Sequence, residues 1–142
     1  MSAKDVANYF LSKEDADDSD ISNLKLQKLV YYAQAFNLAV FDEPLFEEDF
    51  KAWQHGPVCP SLYQEYKNNG RNPIPPADKF DASVFSPEQK ELLDEVYEEF
   101  GQYGASKLRN MTHAERPWLE QEATAGTIDK ESMREFYKTM LK

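Results

Sequence analysis

The sequence predicts an all-α fold, with a single compact domain of about six or seven helices over residues 1–142 and at most a short β pair near residues 50–54. Three observations predict this class. Apolar residues recur at helical spacing along most of the chain. Ser22 precedes the longest such segment as an N-cap, and Ser86 begins a capping box that continues through Pro87 to Gln89. Proline and glycine are concentrated between the helical segments, where turns are expected.

The first third of the chain predicts two helices. Ser2 caps a helix that runs to about Lys13, and Ser22 caps a longer one to about Phe41. The acidic segment Glu14–Asp20 between them is interpreted as a solvated loop, because it lacks the glycine and the ligand spacing of a calcium loop. One inward face of the long helix is predicted from spacing, made of Leu26, Leu29, Val30, Ala33, Phe36 and Val40.

The rest of the chain alternates helices with turns. The stretch 42–57 interrupts the helical pattern, and a short strand pair fits there. The predicted elements that follow are a helix at about Cys59–Asn68 ending at Gly70, a proline-rich loop at 71–85, a helix from Ser86 to about Phe100, a short helix with Leu108 and Met111, another within 112–121, and a last helix at about 130–141. The inward stripe of the last helix is predicted to be Met133, Phe136, Tyr137, Met140 and Leu141.

Composition restricts the function class. Sixteen Lys and Arg against 26 Asp and Glu give a formal charge of −10 and no basic run, which argues against nucleic acid as a partner and favours a basic one. No apolar run approaches the ~20 residues that a membrane span needs. The N-terminus has no apolar core of a signal peptide, and the chain has one Cys. We therefore expect no membrane association and a cytoplasmic location.

Chemically capable residues gather in the stretch 51–67 and raise the possibility of an enzyme. Cys59 and His55 are four residues apart, and His113 could join them in space. A nucleophilic Cys needs a depressed thiol pKa and an orienting group, whereas Cys59 stands between Val58 and Pro60. Three Cys and His in all, without paired spacing, also argue against zinc. No phosphate-binding glycine motif is present. We expect no catalytic residues, no metal and no cofactor.

The same stretch has a structural interpretation and an interface interpretation. Trp53 is expected to be a large anchor of the core or its rim, and Gly56-Pro57 a tight turn into the helix that contains Tyr63. His55 precedes that turn and could fix it by a hydrogen bond to the backbone. Alternatively, Trp and Tyr mark a binding surface, where both are over-represented at hot spots.

Three blocks of the sequence, in order, resemble the Panacea domain, the SocA-like antitoxin family also known as phage-associated GepA. The blocks are Ser22–Leu29 running into Tyr31–Gln34, Ala52–Val58 with Tyr63 after it, and Leu108-Arg109 through Thr112-His113 to Pro117-Trp118. Each block alone is a weak signal, and their order and spacing cover roughly residues 3–140.

The resemblance implies an antitoxin that neutralises a toxin encoded beside it by direct protein contact. At least one branch of this family resembles a proteolytic adaptor, which delivers its toxin to a ClpXP-type protease. The resemblance also implies that Trp53, His55, Gly56, Pro57 and Tyr63 are family scaffold bordering a toxin-binding surface. Two alternatives stay open, a phage-associated protein with a host target unrelated to toxins and an enzyme using Cys59, His55 or His113.

Glutamates form a row on the helix after Ser86. Glu91, Glu95 and Glu99 are spaced i, i+4 opposite the predicted apolar face, so they repel one another. One interpretation is a solvated face that aids solubility. The other is that this glutamate row (Glu91, Glu95 and Glu99) meets a basic surface of the toxin, which relieves the repulsion on binding.

Overall fold

The computed structural model describes residues 1–15, 17–77 and 79–141. Ala16 and Asp78, which fall in the predicted loops 14–20 and 71–85, lie outside the described residues. The described part of the chain forms α1 (Ala3–Ser12), α2 (Asn23–Phe41), β1 (Lys51–Trp53), β2 (Gly56–Val58), α3 (Pro60–Tyr66), α4 (Pro87–Phe100), α5 (Ala105–His113), α6 (Arg116–Leu119) and α7 (Lys130–Lys138). Three short 3-10 turns lie at Lys67–Asn69, Ala82–Val84 and Glu122–Thr124. The predicted all-α class with one small strand pair is confirmed.

Side-chain caps define where the helices begin. Ser22 Oγ accepts a 3.3 Å hydrogen bond from the Lys25 amide, and this satisfies a donor that α2 cannot pair internally. At α4 the capping box is reciprocal: Ser86 Oγ accepts from the Gln89 amide at 3.2 Å, and Gln89 Oε1 accepts from the Ser86 amide at 2.9 Å. At its other end α2 stops at Asp42, whose left-handed φ of 60° ends the helix.

Helix α2 lies at the centre of the fold and is buried on nearly all sides. The prediction of a single inward face was therefore too narrow, because α1, α3, α4, α5, α7 and the strand pair all pack against this helix. Polar residues of α2 are buried as well as apolar ones, and each needs a partner inside the protein: they are Asn23, Lys25, Gln27, Lys28, Gln34 and Asn37. Lys25 finds its partners in Asp20, at 2.9 Å, and the carbonyl of Gly101, at 2.8 Å.

Stacked aromatic rings join α2 to α4 and α7. The rings of Tyr32 and Phe100 lie 4.1 Å apart and almost parallel, and Phe36 packs at 5.8 Å from Phe100. Tyr137 of α7 meets Phe36 with ring centroids 5.4 Å apart. Lys25 reaches the carbonyl of Gly101, so the C-terminal end of α4 lies against the stretch of α2 between Lys25 and Phe36.

The strand pair gains a third stretch of backbone from the C-terminal part of the chain. β1 and β2 are antiparallel, with Trp53 opposite Gly56. On the other side of β1, Ala52 N donates to Gly126 O at 3.0 Å and Ile128 N donates to Phe50 O at 2.8 Å. These bonds hold the hairpin between α2 and the segment before α7.

The C-terminal end differs from the prediction. Helix α7 ends at Lys138, so Met140 and Leu141 lie beyond it and are 44% and 43% exposed. Val40, predicted to face inward, is 46% exposed near the end of α2. The periodicity was right, but no described element covers these side chains. None of the described helices is both long and apolar enough to cross a membrane.

Candidate protein-binding site

The hairpin places the first predicted group of site residues around one turn. Gly56 and Pro57 are buried in β2, whereas His55 is exposed at the turn. The Trp53 ring packs edge-on against that of Tyr63 of α3, with centroids 5.4 Å apart, and both side chains are half-buried. Trp53 is therefore at the rim of the core. The residue that fills the core here is Trp118, which is 5% exposed and donates from Nε1 to Trp53 O at 3.0 Å.

Gly56 is required by the backbone and by the lysine beneath it. Its φ of +100° is a conformation that L side chains rarely adopt. A Cβ at this position would also lie 2.7 Å from Lys28 Cε and 3.1 Å from Thr112 Oγ1. The hairpin turn thus rests directly on α2 and α5.

Three basic residues influence one another near the hairpin: Lys28, Arg109 and His113. Lys28 is fully buried, and its Nζ has no hydrogen-bond partner among the residues described. Burial, reinforced by the nearby Arg109, lowers the pKa of Lys28 to about 7. Burial likewise lowers the pKa of His113, whose ring stacks on Trp118 at 3.9 Å. Burying the Lys28 amino group without an acceptor destabilises the fold.

The residues considered for catalysis are not assembled. Cys59 is buried, its amide donates to Gln27 Oε1 at 3.0 Å, and its Sγ lies 3.5 Å from Ser61 Oγ. His113 stacks on Trp118 instead, beside a cavity of about 400 Å³ that Cys59 does not line. Across residues 1–15, 17–77 and 79–141, no three His, Cys, Asp or Glu side chains lie close enough to hold a metal ion. Among the described residues, the hydrogen bonds of Cys59 do not include either histidine.

A larger concave surface lies between α2, α4 and the C-terminal residues. This α2–α4 groove has a volume of about 610 Å³. Its apolar lining comes from two helices and the chain end, and comprises Phe36, Val40, Leu92, Val96, Phe100, Met140 and Leu141. Three of these residues, Val40, Met140 and Leu141, are among the exposed large hydrophobic side chains of the described chain. A contiguous exposed apolar surface of this kind is typical of an interaction site.

Glutamates line one side of the groove. Glu95, Glu98 and Glu99 contribute to its lining, and Glu91 is exposed one turn earlier on α4. Within the described ranges, the ion pairs of the protein do not include any of these four carboxylates. The lining therefore combines an apolar floor with negative charge that no described cation offsets.

One carboxylate of α4, that of Asp94, faces α1 and has partners there. Asp94 accepts a 2.6 Å hydrogen bond from the Tyr9 hydroxyl and lies 2.6 Å from Lys13 Nζ, both in or next to α1. Lys90 is one turn away on the same face. Partial burial opposes the shift, yet Lys13 and Tyr9 together lower the pKa of Asp94. Thus the carboxylate of α4 that faces α1 is paired with a cation, whereas the carboxylates that line the groove have no described cation as a partner.

The two groups of predicted site residues lie against different stretches of α2. The hairpin packs on Gln27 and Lys28, whereas the groove uses Phe36 and Val40. With a rise of 1.5 Å per residue, Lys28 and Phe36 are about 12 Å apart along the helix axis. The structure brings Glu95 and Glu99 to the groove and leaves Trp53, His55 and Tyr63 at the hairpin.

Sequence reasoning missed the apolar half of the groove. Phe36, Val40, Met140 and Leu141 were predicted as core residues because they continue helical stripes. Apolar residues at helical spacing give the same sequence pattern whether or not another helix packs against them. The glutamates beside the stripe were the available signal for this surface.

Comparisons with known proteins agree on one family. Residues 26–119 match the family model described as Antitoxin SocA-like, Panacea domain. The chain is also similar to Antitoxin SocA of Caulobacter vibrioides (strain NA1000 / CB15N), with 36% identity over 129 residues that cover 83% of this chain and 69% of the relative. No solved structure gives a significant match.

Proposed function

Since the chain belongs to the SocA-like antitoxin family with a Panacea domain, we propose that it neutralises a cognate toxin by direct protein–protein binding in the cytoplasm. The observation that carries this proposal from family to molecule is the α2–α4 groove. An apolar surface with several exposed large side chains is costly to leave in water, and a bound partner covers it.

The groove is a better candidate for a protein partner than for a small ligand. Its apolar side chains come from three separate parts of the chain, α2, α4 and the C-terminal residues, and several of them are exposed. Interfaces are built in this way, with an apolar centre and a polar rim. The hairpin residues Trp53, His55, Gly56, Pro57 and Tyr63 remain a proposed second border of the toxin-binding surface.

Co-expression with the protein encoded by the neighbouring gene tests the function. That protein is expected to arrest growth alone, to be harmless with this chain, and to co-purify with it as a stable complex. Rescue of growth without a detectable complex would show that direct sequestration is wrong. A neighbour that is harmless by itself would favour the alternative of an interaction protein with a target unrelated to toxins.

Delivery of the toxin to a ClpXP-type protease is a further part of the proposal. A complex formed with this chain would present the toxin to the protease, so the toxin should disappear faster when both are present. The measurement is the toxin's half-life in cells with and without the protease. An unchanged half-life together with full rescue would leave binding alone as the mechanism.

The enzyme alternative has a direct test. Cys59, His55 and His113 are not joined by hydrogen bonds within the part of the chain described. Replacement of Cys59 or His113 by Ala should leave neutralisation intact as long as the variant folds, and His55→Ala should affect at most the contact with the toxin. Loss of neutralisation in a folded Cys59→Ala or His55→Ala variant would favour a role for that side chain in the chemistry or the contact.

A further inference from the structure

We infer that the α2–α4 groove takes an amphipathic helix of the toxin whose apolar face enters the groove and whose Lys or Arg side chains meet the glutamates of α4. This inference rests on the proposed function and names the chemistry of the partner segment. Its support comes from the shape of the groove, the arrangement of its apolar residues and the unpaired charge at its side.

The shape fits a helix. Helices α2 and α4 both line the groove, and Phe36 and Val40 lie one turn apart on the α2 side. Leu92, Val96 and Phe100, also spaced by one turn, line the α4 side. Rows of this kind on two helices accept the ridge of a third helix, as in ordinary helix packing. The lining residues are helical or follow α7, so they present no strand edge for an extended peptide.

The exposed residues at the groove supply the apolar anchors. Val40 is 46% exposed, and Met140 and Leu141 are 44% and 43% exposed. Methionine is unbranched and adapts to the shape of a partner, which suits a binding surface. A partner helix with apolar residues at i, i+3, i+4 and i+7 would cover these side chains along two turns.

The charge selects a basic partner. Glu95, Glu98 and Glu99 line one side of the groove, and no described cation pairs with them, whereas Asp94, which faces α1, is paired with Lys13. The overall charge of −10 attracts the same kind of partner from a distance. Asp42, the residue that ends α2, is already paired with Lys138 at 2.6 Å. The basic edge of the partner helix therefore faces α4.

The test uses the complex of this chain with the protein encoded by the neighbouring gene. Val40→Asp places a charge on the α2 side of the groove, which is apolar. The double variant Glu95→Lys/Glu99→Lys reverses the charge on the α4 side. Each is expected to weaken the complex about tenfold or more. Val40→Asp would bury a charge in an apolar contact, and the lysines would repel the basic side chains of the partner. Hydrogen exchange of the toxin in the parent complex should show one protected helix with apolar residues on one face and Lys or Arg beside them.

Matched controls separate a local effect from a general one. Leu119→Asp alters a side chain that is 47% exposed but does not line the groove. Asp17→Lys/Asp18→Lys changes the net charge as much as the glutamate double variant does, in the loop before α2. Both controls should bind as the parent does. Thermal unfolding of each variant confirms that it is folded before its binding is compared.

The possible results separate the inference from the proposed function. If the parent forms no complex, the proposed function fails. If the parent forms one and the groove variants bind equally well, or the protected toxin segment is acidic or extended, the groove inference is overturned. It is also overturned if the chain alone is a dimer that Val40→Asp dissociates, because a second copy then occupies the groove. Restoration of the glutamate double variant by Lys→Glu changes in the protected toxin helix would support it.

Discussion

The hydroxyl of Tyr137 donates a 2.7 Å hydrogen bond to Glu115 Oε1, linking the last helix to a carboxylate at the start of α6. The same oxygen accepts from the Tyr32 hydroxyl at 3.0 Å, and Tyr31 lies 3.1 Å from Tyr137, oxygen to oxygen. Glu115 is 8% exposed. This buried polar cluster joins α2, α6 and α7, so its members depend on one another.

Removal of the acceptor at Glu115 should destabilise the protein. Glu115→Ala leaves the buried tyrosine hydroxyls without it, at an expected cost of about 1–3 kcal/mol in the free energy of unfolding. Glu115→Gln keeps a carbonyl acceptor in the same place and should cost less. Urea unfolding of both variants measures the difference, and equal stabilities would show that the hydrogen bonds contribute little.

The pH dependence of stability at Glu115 has a definite sign. Burial raises the pKa of Glu115 above 4.5, although the Tyr137 and Tyr32 hydroxyls oppose the shift. The folded state then holds this proton more tightly than the unfolded chain, so the contribution to stability decreases as pH rises from about 4.5 through the folded pKa. The difference in stability between the parent and Glu115→Gln should therefore change in favour of Gln over that range.

Lys28→Met should stabilise the protein. The parent buries an ammonium group without a described acceptor, and its replacement by an apolar chain of similar length removes a cost of about 1–3 kcal/mol. Because the pKa of Lys28 is lowered to about 7 from 10.5, the unfolded chain alone holds the proton between those values. The parent should therefore gain stability as pH rises from 7 toward 10.5, and Lys28→Met should gain less.

Lys25→Met is the matched control for Lys28. Lys25 is equally buried and lies three residues earlier on α2, but it pairs with Asp20 and the Gly101 carbonyl. Its replacement should destabilise the protein, because that carbonyl loses its partner. Unfolding curves for the two variants should thus move in opposite directions. A loss of stability in both would mean that Lys28 has a favourable role in the fold.

The two tryptophans should differ in what they contribute. Trp118→Ala removes a ring that is 5% exposed and is expected to lower stability by about 3–5 kcal/mol. Trp53 is half-buried, so Trp53→Ala should cost roughly half as much. Melting temperatures give the ranking. A Trp53→Ala protein that melts like the parent but fails to neutralise the toxin would make Trp53 a contact residue and not a structural one.

The glutamate row should act on the rate of association. Replacement of Glu91, Glu95 and Glu99 by Gln removes the attraction to a basic partner, so association should slow and its salt dependence should flatten. The same change relieves repulsion of about 0.2–0.5 kcal/mol per i, i+4 pair, so folding should be unharmed or slightly improved. Stopped-flow association with the toxin at low and high salt measures the first effect. Parent-like rates at low salt would leave the row as solvated surface.

Local signals predicted most of the fold. The caps at Ser22 and Ser86 each act within a few residues, and both are present in the structure. The tight turn predicted at Gly56-Pro57 was wrong, because these two residues begin β2 and the turn lies at Gln54-His55, where the hairpin reverses. What could not be predicted depends on contacts between distant segments. Lys28 and Gln27 are buried because several elements pack around α2. The helical pattern of the sequence does not predict how many elements do so.

The candidate site could be predicted only in part, because its charged residues give a local signal whereas its apolar residues depend on distant contacts. Glu95 and Glu99 stand out in sequence because no Lys or Arg lies three or four residues from either of them. In the sequence, Val40 and Leu141 look like core residues. In the structure α7 ends at Lys138, and both side chains are exposed. Trp53 drew attention as a rare residue, but the ring that fills the core is Trp118.

The third stretch of backbone beside β1 has a consequence for synthesis. The bonds from Ala52 to Gly126 and from Ile128 to Phe50 tie an early hairpin to a segment that the ribosome makes near the end of the chain. Until that segment emerges, β1 has unpaired backbone groups along one edge, and such an edge is a template for pairing with other chains. The nascent chain is therefore more prone to aggregate than the finished protein, and a product truncated before Gly126 would retain that exposed edge.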